Sequence, residues 1–476
     1  MTSNAEITNG IPALPSGIKS AIGLLFFMAL SFIQSEIAEG QFGGCPCGCS
    51  GTCRFSGAGT SNEIDARISS RWNFSATDGA TTAAGDAVTL TWGIAAEGSP
   101  IGDAFGANTG PEGSSFVNFL DNVTGRDTNS TGGADLTQRD WFSLFEDSAN
   151  RISQVSGVTF NFESNDDGAP LFSAPAGGGL LAGPAGALGT RADIRIGGRS
   201  VDGQTGGNVL AFAFPANIGE TVFDTDNVNF FSSTFNDSVG FRNVLTHELF
   251  HALGISHVDS AGGASFLLNP TINTSFDGPQ LDDILVLQRN YGDFLESSND
   301  QLGNNSIATA TVLGLLSDDN SLSAGQEVDD TVIGFDEVGF VSINDATDVD
   351  VFEFSLSELS EVSIDLSPEG ASYLQGVENG TLEEIDTLEL NDLALQLFDS
   401  DGNLIAAADD FGLGLSESIL QTLDAGTFFV EVSGSSDEIQ LFTLGLSSSV
   451  VAVPEPGSVM IVVGMFGFLQ VRRRRN

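Results

Sequence analysis

All three histidines of this chain, His247, His251 and His257, lie in one segment that reads HELFHALGISH. A spacing of four residues places His247 and His251 one turn apart on the same face of a helix. Gly254 predicts the end of that helix, because glycine readily takes the left-handed conformation that a helix C-terminus often needs. The chain can then turn back and bring His257 to the other two. The segment therefore predicts a helix, a tight turn and one shared metal ion.

The residues before this segment predict how the helix begins. Val244, Leu245 and Leu249 give the helix an apolar side that can pack against a core. Asp237 or Ser238 is expected to cap its N-terminus, since short polar side chains can accept a hydrogen bond from the first free N–H groups.

Three neutral imidazoles leave one position of a tetrahedral zinc ion open to water, which is typical of a catalytic site. Glu248 follows the first histidine and need not bind the metal. A carboxylate there can act as the general base on a zinc-activated water and pass the proton to a leaving amine. The pattern thus predicts hydrolysis of peptide bonds. The alternatives are a structural zinc, which would need a fourth ligand when no cysteine is nearer than Cys53, or histidines without a metal.

The full pattern HExxHxxGxxH resembles that of the metzincin metallopeptidases, and its flanks are similar to the matrixin branch. The resemblance implies an α+β catalytic domain over residues 65–294, a twisted mixed sheet with an active-site helix, and apparent insertions near 98–133 and 166–189. The segments similar to elements of that fold are VTLTWGI from Val88, WFSLFEDSANRISQVSGVTFNF from Trp141, ADIRIGG from Ala192, DGQTGGNVLAFAFP from Asp202, VFDTDN from Val222 and LDDILVLQRNYG from Leu281.

Three positions depart from the matrixin pattern. The family's Met-turn places a methionine under the zinc, but no methionine lies between Met28 and Met460, and FLLNPTI aligns Leu268 there. Leucine fills much of the same apolar volume. Phe212 stands where a second, structural zinc would need a histidine, so we expect no such site. No tyrosine lies between His257 and Tyr291, so we expect water alone to complete the metal shell.

The resemblance also implies a calcium site. Asp202, Asp224 and Asn227 match family ligand positions, and oxygen ligands of this kind suit calcium. Asn227 provides an amide where a carboxylate is usual, which is expected to weaken binding. Ordinary acidic turn residues are the alternative. The expected cofactors are one catalytic zinc and, at these three residues, calcium.

After Phe294 the composition changes to Asp, Ser, Leu and Val. Residues 295–329 are expected to be a linker and lead-in, and alternating strands with Asp-Gly turns predict an all-β sandwich over 330–447. DVDVFEFSL, LALQLFDSDGNLIAAADD and LDAGTFFVEVSG resemble the bacterial pre-peptidase C-terminal domain, which implies a role in secretion, localisation or substrate attachment. Calcium sites and a solvated acidic face both remain open for its acidic residues, Asp345, Asp348, Asp350, Asp399, Asp401, Asp409 and Asp410.

The two ends of the chain are typical of targeting segments. Residues 1–40 hold Lys19, the apolar run GLLFFMALSFI and small residues, which predict an export signal. Residues 448–476 hold Pro-Glu-Pro, a short apolar run and Arg472–Arg475, and resemble a PEP-CTERM sorting signal. That resemblance implies an exosortase-type processing enzyme as a partner, transient membrane contact through the tail, and a place at the surface or outside of a Gram-negative-type bacterium. A permanent tail anchor is the alternative.

Residues 41–64 form a Gly-rich segment with every cysteine of the chain, Cys45, Cys47, Cys49 and Cys53. After export these thiols can pair locally, bind a metal, or cap the zinc as a cysteine switch does in matrixins, although the family's switch sequence is not present.

The charge balance limits the partners. Against 64 acidic residues there are only 16 Lys and Arg, which gives a net charge of −48. Such a chain is repelled by nucleic acid and by anionic membrane surfaces. The leading hypothesis is a secreted or surface-sorted zinc endopeptidase that acts on proteins or peptides. An inactive surface or matrix protein and a calcium-dependent binding protein are the alternatives; Glu248 favours the enzyme, and Leu268 favours loss of activity.

Overall fold

The computed structural model describes residues 64–81, 83–103, 112–123, 135–173, 181–202, 209–261 and 265–451. The predicted export signal and the four cysteines lie outside the described residues, and so does the predicted sorting tail after Val451. Within those seven ranges, no helix has both the length and the apolar character needed to cross a membrane.

A five-stranded mixed sheet forms the scaffold of the N-terminal half. Its strands are β3 (Val88–Ile94), β6 (Val158–Phe162), β9 (Ile194–Arg199), β10 (Ala211–Ala213) and β11 (Thr221–Asp224). They lie in the order β10-β11-β9-β3-β6, and every neighbouring pair is parallel except β10–β11. All of β9 and nearly all of β3 are buried, as expected for central strands covered on both faces.

Among the helices of the N-terminal half, Val239–Ala252 and Leu281–Tyr291 are buried and hold the candidate site. The helices are α1 (Phe116–Val123), α2 (Phe142–Gln154), α3 (Val228–Phe231), α4 (Val239–Ala252) and α5 (Leu281–Tyr291), with short helical turns at Ile64–Arg67, Leu136–Gln138, Phe294–Ser297, Ser298–Gln301 and Ile307–Thr309. Nearly every residue of α4 and α5 is buried, because each is surrounded by protein rather than lying on the surface. Helix α2 packs on β3 by stacking Phe142 and Phe145 against Trp92.

The two predicted insertions meet in one small sheet. Its strands are β4 (Pro100–Ile101), β5 (Glu112–Gly113), β7 (Phe172–Ser173) and β8 (Leu181–Ala182), in the order β5-β4-β7-β8. The first two come from one insertion and the last two from the other, and Ile101 pairs with Phe172 between them. A separate hairpin is formed by β1 (Phe74–Ser75) and β2 (Gly79–Ala80).

The C-terminal half contains two larger sheets around a second core. The strands are β13 (Thr311–Leu316), β14 (Ser321–Ala324), β15 (Val341–Ile343), β16 (Val349–Leu356), β17 (Ser360–Glu369), β20 (Leu393–Asp399), β21 (Leu404–Ala408), β22 (Glu417–Leu423), β23 (Gly426–Gly434) and β24 (Gln440–Val450). One sheet runs β13-β16-β23-β20-β21, and the other runs β14-β24-β17-β22 with β15 beside β24. Phe352 and Val430 of the first sheet share a buried cluster with Ile364 and Leu444 of the second. The predicted β-rich C-terminal region is confirmed.

A third sheet joins the two halves. It consists of β12 (Val258–Ala261), β18 (Ser372–Val377) and β19 (Glu383–Asp386), in that order and antiparallel. Tyr373 and Ile385 of this sheet belong to the same buried cluster as Phe266 and Leu285 of the N-terminal half. The predicted domain limits and the metzincin-like topology stay predictions, and one buried cluster contains residues of both halves.

Candidate metal centre

Helix α4 carries His247 and His251, and its beginning differs from the expectation. Ser238 occupies the N-cap position, but its φ is 63° and its side chain makes no capping hydrogen bond, so the predicted Ser238 cap is wrong. Asp237 precedes it, also with a left-handed φ of 54°. Arg242, one turn into the helix, donates to the Asp237 carbonyl oxygen and pairs with Asp277. The first turn is therefore held by a long basic side chain instead of a short polar one.

The predicted end of the helix is confirmed. Helix α4 ends at Ala252, and Gly254 has a φ of 87°. A Cβ atom at Gly254 would lie 2.1 Å from the carbonyl oxygen of Ser70, so only glycine fits against this neighbouring segment. The turn at Gly254 reverses the chain and brings His257 back beside the helix.

The three imidazole rings converge on one point. The Nε2 atom of His247 lies 3.0 Å from that of His251 and 3.2 Å from that of His257, and the remaining Nε2–Nε2 distance is 3.0 Å. Ligands of a tetrahedral zinc at about 2.0–2.1 Å would stand roughly 3.3 Å apart. The size of the nitrogen triangle therefore fits one zinc ion.

The opposite ring nitrogens show where the protons lie. Nδ1 of His247 donates to the Leu267 carbonyl oxygen and Nδ1 of His251 to the Ile255 carbonyl oxygen, each at 2.7 Å, since a carbonyl can only accept. Nδ1 of His257 lies 2.8 Å from Oε2 of Glu378. A neutral imidazole with its proton on Nδ1 keeps a lone pair on Nε2. Three lone pairs at this separation repel one another unless a cation lies between them, so the donor set fits a metal.

Burial keeps two of these rings neutral. Burial, together with the nearby His257, lowers the pKa of His247 to about 3 and the pKa of His251 well below its usual value. The neutral ring is the form that binds a metal.

Glu248 follows His247 on α4 and is buried. Its residue is 5% exposed, and its Oε2 atom has no hydrogen-bond partner. Burial raises the pKa of Glu248 to about 8. A cation bound close by would favour the ionised carboxylate. Glu248 is thus a buried carboxyl group, adjacent in sequence to one of the three converging histidines, with an oxygen that makes no hydrogen bond.

Leu268 and its neighbour form the floor of the site. Leu268 is fully buried, and its carbonyl oxygen accepts a hydrogen bond of 3.0 Å from the N–H of Val258, the residue after His257. Leu267 accepts from His247. Both backbone N–H groups of this pair donate to Asp283, at 2.7 Å and 3.2 Å.

A buried amide on α4 holds the segment that follows Leu268. Asn243 donates to the carbonyl oxygens of Asn273 and Phe276 and accepts from the N–H of Gly278, all at 2.8 Å. The segment after Leu268 is thus fixed to the helix that carries two of the histidines.

The three residues expected to bind calcium lie together. Oδ2 of Asp224 lies 3.0 Å from the amide nitrogen of Asn227, and the N–H of Val201 donates to Oδ1 of Asp224. Burial and the adjacent Asp202 carboxyl raise the pKa of Asp224 to about 6. Phe212, which we expected at the place of the family's structural zinc, is buried and packs edge-on against Phe172 and Phe214.

A second group of buried carboxylates lies where the two halves meet. Glu296, Asp348 and Asp350 each bring an oxygen within 4.8 Å of the others. Asp350 is 1% exposed, and both its oxygens and both amide atoms of Asn304 lack hydrogen-bond partners. Burial and repulsion from neighbouring carboxylates raise the pKa of all three carboxyls, with Asp293 acting on Glu296 and Glu296 acting on the two aspartates. The acidic residues farther along, Asp401, Asp409 and Asp410, are exposed.

Sequence reasoning missed two residues of the metal centre. Asp283 forms a capping box with Gln280 at the start of α5, and the Gln-x-x-Asp pattern before an apolar run was a signal for it. Glu378 follows His257 by 121 residues and carries no local signal.

Residues 191–292 match the family model described as Matrixin. This range contains all three histidines and Glu248 and is well under half of the 476-residue chain. The match supports a metallopeptidase, and the Matrixin family implies zinc.

No curated protein matches this chain. One similar solved structure is the pre-peptidase C-terminal domain of collagenase from Bacillus anthracis, with 13% identity, a TM-score of 0.17, and coverage of 29% of this chain and 94% of that chain. Another is a beta-glucosidase from Paenibacillus barengoltzii, with 11% identity, a TM-score of 0.16, and coverage of 29% of this chain and 11% of that chain. TM-scores this low establish no shared fold.

Proposed function

We propose that this protein is a zinc-dependent endopeptidase of the metzincin type. The observation that carries the proposal is the convergence of three imidazole Nε2 atoms, 3.0–3.2 Å apart, with the buried Glu248 following His247 on the same helix. Helix α4 is then the active-site helix, and the mixed sheet and α2 form its support. Leu268 takes the place of the family's methionine.

The three histidines and Glu248 would have different roles in hydrolysis. His247, His251 and His257 would hold the metal through Nε2, and their Nδ1 hydrogen bonds keep the rings oriented before it binds. Zinc, when bound, supplies a Lewis acid that polarises a carbonyl and lowers the pKa of water. The Glu248 carboxylate accepts the proton of the attacking water and delivers it to the nitrogen of the leaving amine.

We also propose that the protein is exported and sorted to the bacterial surface, with its tail recognised by an exosortase-type enzyme. The order of features in residues 1–40 and 448–476 supports this proposal. Calcium at Asp202, Asp224 and Asn227 stays a prediction, supported by the two adjacent carboxyls that a cation would neutralise.

The test combines metal content with proteolysis on the full-length chain. Elemental analysis after exhaustive dialysis should give one zinc per chain, and the protein should cleave casein. A chelator should abolish cleavage, and zinc but not magnesium should restore it. Cleavage that survives chelation would place the active site elsewhere. Bound zinc without any cleavage would favour the inactive surface protein.

A further inference from the structure

His257 differs from the other two histidines in what its outer nitrogen contacts. The Nδ1 atoms of His247 and His251 face backbone carbonyls of the N-terminal half. The Nδ1 atom of His257 faces a carboxylate, Oε2 of Glu378, at 2.8 Å. That carboxylate belongs to the C-terminal, β-rich half of the chain.

The strand pairing between the halves places Glu378 at this ring. Strand β18 runs antiparallel to β12, and Val377 pairs with Val258, the residue after His257. Glu378 is the first residue beyond β18. Its position follows from the register of the sheet, because a strand of the C-terminal half continues directly alongside the strand that leaves the metal site.

The turn that carries Glu378 is fixed to β12. The N–H of Asn379, which has a left-handed φ of 59°, donates to Oδ2 of Asp259 at 2.7 Å. The N–H of Gly380 donates to the Val377 carbonyl oxygen at 2.7 Å and closes the turn. The first bond joins the backbone beside Glu378 to the strand after His257, and the second closes the turn around Glu378.

The other end of the hairpin is anchored in the core. The Tyr373 hydroxyl donates to Asp282 at 2.8 Å, and Asp282 forms a buried ion pair with Arg67. The ring of Tyr373 packs edge-on against Phe266, with 5.0 Å between the ring centroids. The hairpin is therefore held at both ends by groups that also surround the metal site, and Glu378 has little freedom to leave His257.

A carboxylate bonded to Nδ1–H of a metal-bound histidine fixes the tautomer, orients the ring and raises the basicity of Nε2. Removing such a partner typically weakens metal binding by about 10–100-fold. A negative charge here also offsets part of the charge of a divalent cation held by three neutral ligands.

We propose that Glu378 is a positioning residue for the metal ligand His257, so that the hairpin Ser372–Asp386 of the C-terminal half completes the metal centre. The inference rests on the zinc site of the proposed function. It assigns the C-terminal half a direct part in metal binding, in addition to the secretion or attachment role that the sequence implies.

The test measures the zinc dissociation constant of the full-length protein by competition with a chromophoric chelator. E378A removes the acceptor and should weaken zinc binding by about 10–100-fold. E378Q keeps the size of the side chain and a neutral acceptor, and its zinc affinity should decrease less than that of E378A. E384Q removes the same charge from an exposed position of the same hairpin and should bind zinc as the parent does.

Two further measurements distinguish positioning from a general effect on folding. Thermal unfolding of the zinc-free variants should match that of the parent. The absorption spectrum of the cobalt-substituted protein should change in E378A and stay unchanged in E384Q, because only the former alters the ligand ring.

Each outcome decides a different claim. If E378A binds zinc as tightly as the parent, or if E384Q loses as much zinc affinity as E378A, Glu378 does not position His257. Either result would leave the proposed zinc site unaffected. If the parent protein binds no zinc, the proposed function fails and this inference fails with it.

Discussion

The carboxylate of Asp283 accepts hydrogen bonds from the backbone N–H groups of Leu267 and Leu268, at 2.7 Å and 3.2 Å. It also accepts from the N–H of Gln280, so one buried side chain joins the start of α5 to the floor of the metal centre. The carbonyl of Leu267 in turn holds Nδ1 of His247. A capping residue of one helix thereby orients a ligand on another.

Replacing Asp283 should therefore affect both stability and metal binding. Asn at this position keeps the size but turns an NH₂ group toward buried N–H donors, and an unsatisfied buried donor costs about 1–3 kcal/mol. We expect D283N to lower the free energy of unfolding by about that amount in urea, and to weaken zinc binding. D365N, on the exposed face of β17, is the control and should stay within about 0.5 kcal/mol of the parent. Equal stability of the two variants would show that the Asp283 bonds do not support the floor.

Glu248 should be needed for hydrolysis and dispensable for metal binding. We expect E248A to keep one zinc per chain and to cleave casein about 100- to 10,000-fold more slowly, the usual contribution of a general base. E146A removes an exposed glutamate from α2 and should leave the rate unchanged. An E248A variant that cleaves as fast as the parent would mean that the base lies elsewhere.

Leu268 should behave as a packing residue at the place of the family's methionine. It is fully buried, and Leu and Met have similar volumes, so L268M should change the free energy of unfolding by less than about 1.5 kcal/mol. L268A should cost about 2–5 kcal/mol, because a cavity remains. Casein cleavage by L268M at the parent rate would show that the departure from the family pattern does not inactivate the site. If L268M cleaves casein more than tenfold faster than the parent, the leucine at position 268 instead reduces the activity of the site.

The buried carboxyls between the halves should make stability fall as pH rises. Burial and nearby Asp293 raise the pKa of Glu296 to about 7, and burial raises that of Asp348 as well. Free Asp and Glu ionise near about 4. From about pH 4 to 7 the folded state therefore binds more protons than the unfolded state, and the contribution of these groups to stability decreases over this range.

The measurement compares urea unfolding of the zinc-free parent with the double variant E296Q/D348N between pH 5 and pH 8. Comparing the two proteins cancels the histidines, whose lowered pKa values act in the opposite direction. The parent should lose stability relative to the variant as pH increases. Parallel curves for the two proteins would contradict the raised pKa values.

Some local elements of the N-terminal half could be predicted, two from their resemblance to metzincin segments and one from a short-range spacing. VTLTWGI is the strand Val88–Ile94, LDDILVLQRNY is the helix Leu281–Tyr291, and the histidine spacing marked the helix Val239–Ala252. The strand pattern of the C-terminal half was equally readable, since β17 alternates buried and more exposed residues. For α4 the helical period of 3.6 residues carries the information, and for β17 the period of 2.

The start of α4 was less predictable. The polar residues before it suggested a side-chain cap, but Asp237 and Ser238 take left-handed backbone conformations and Arg242 holds the turn instead. The preference of short polar residues for the N-cap position did not decide this end of the helix, because the ion pair of Arg242 with Asp277 fixes the turn.

The sequence by itself determined which atoms can bind a metal, because three histidines and one glutamate at fixed spacing leave few other arrangements on a helix and a turn. Only the tertiary structure decided what orients them. Asp283 reaches the ligands through a loop, and Glu378 reaches His257 across 121 residues through the pairing of β18 with β12. No periodicity encodes such contacts, since they depend on how the two halves of the chain pack against each other.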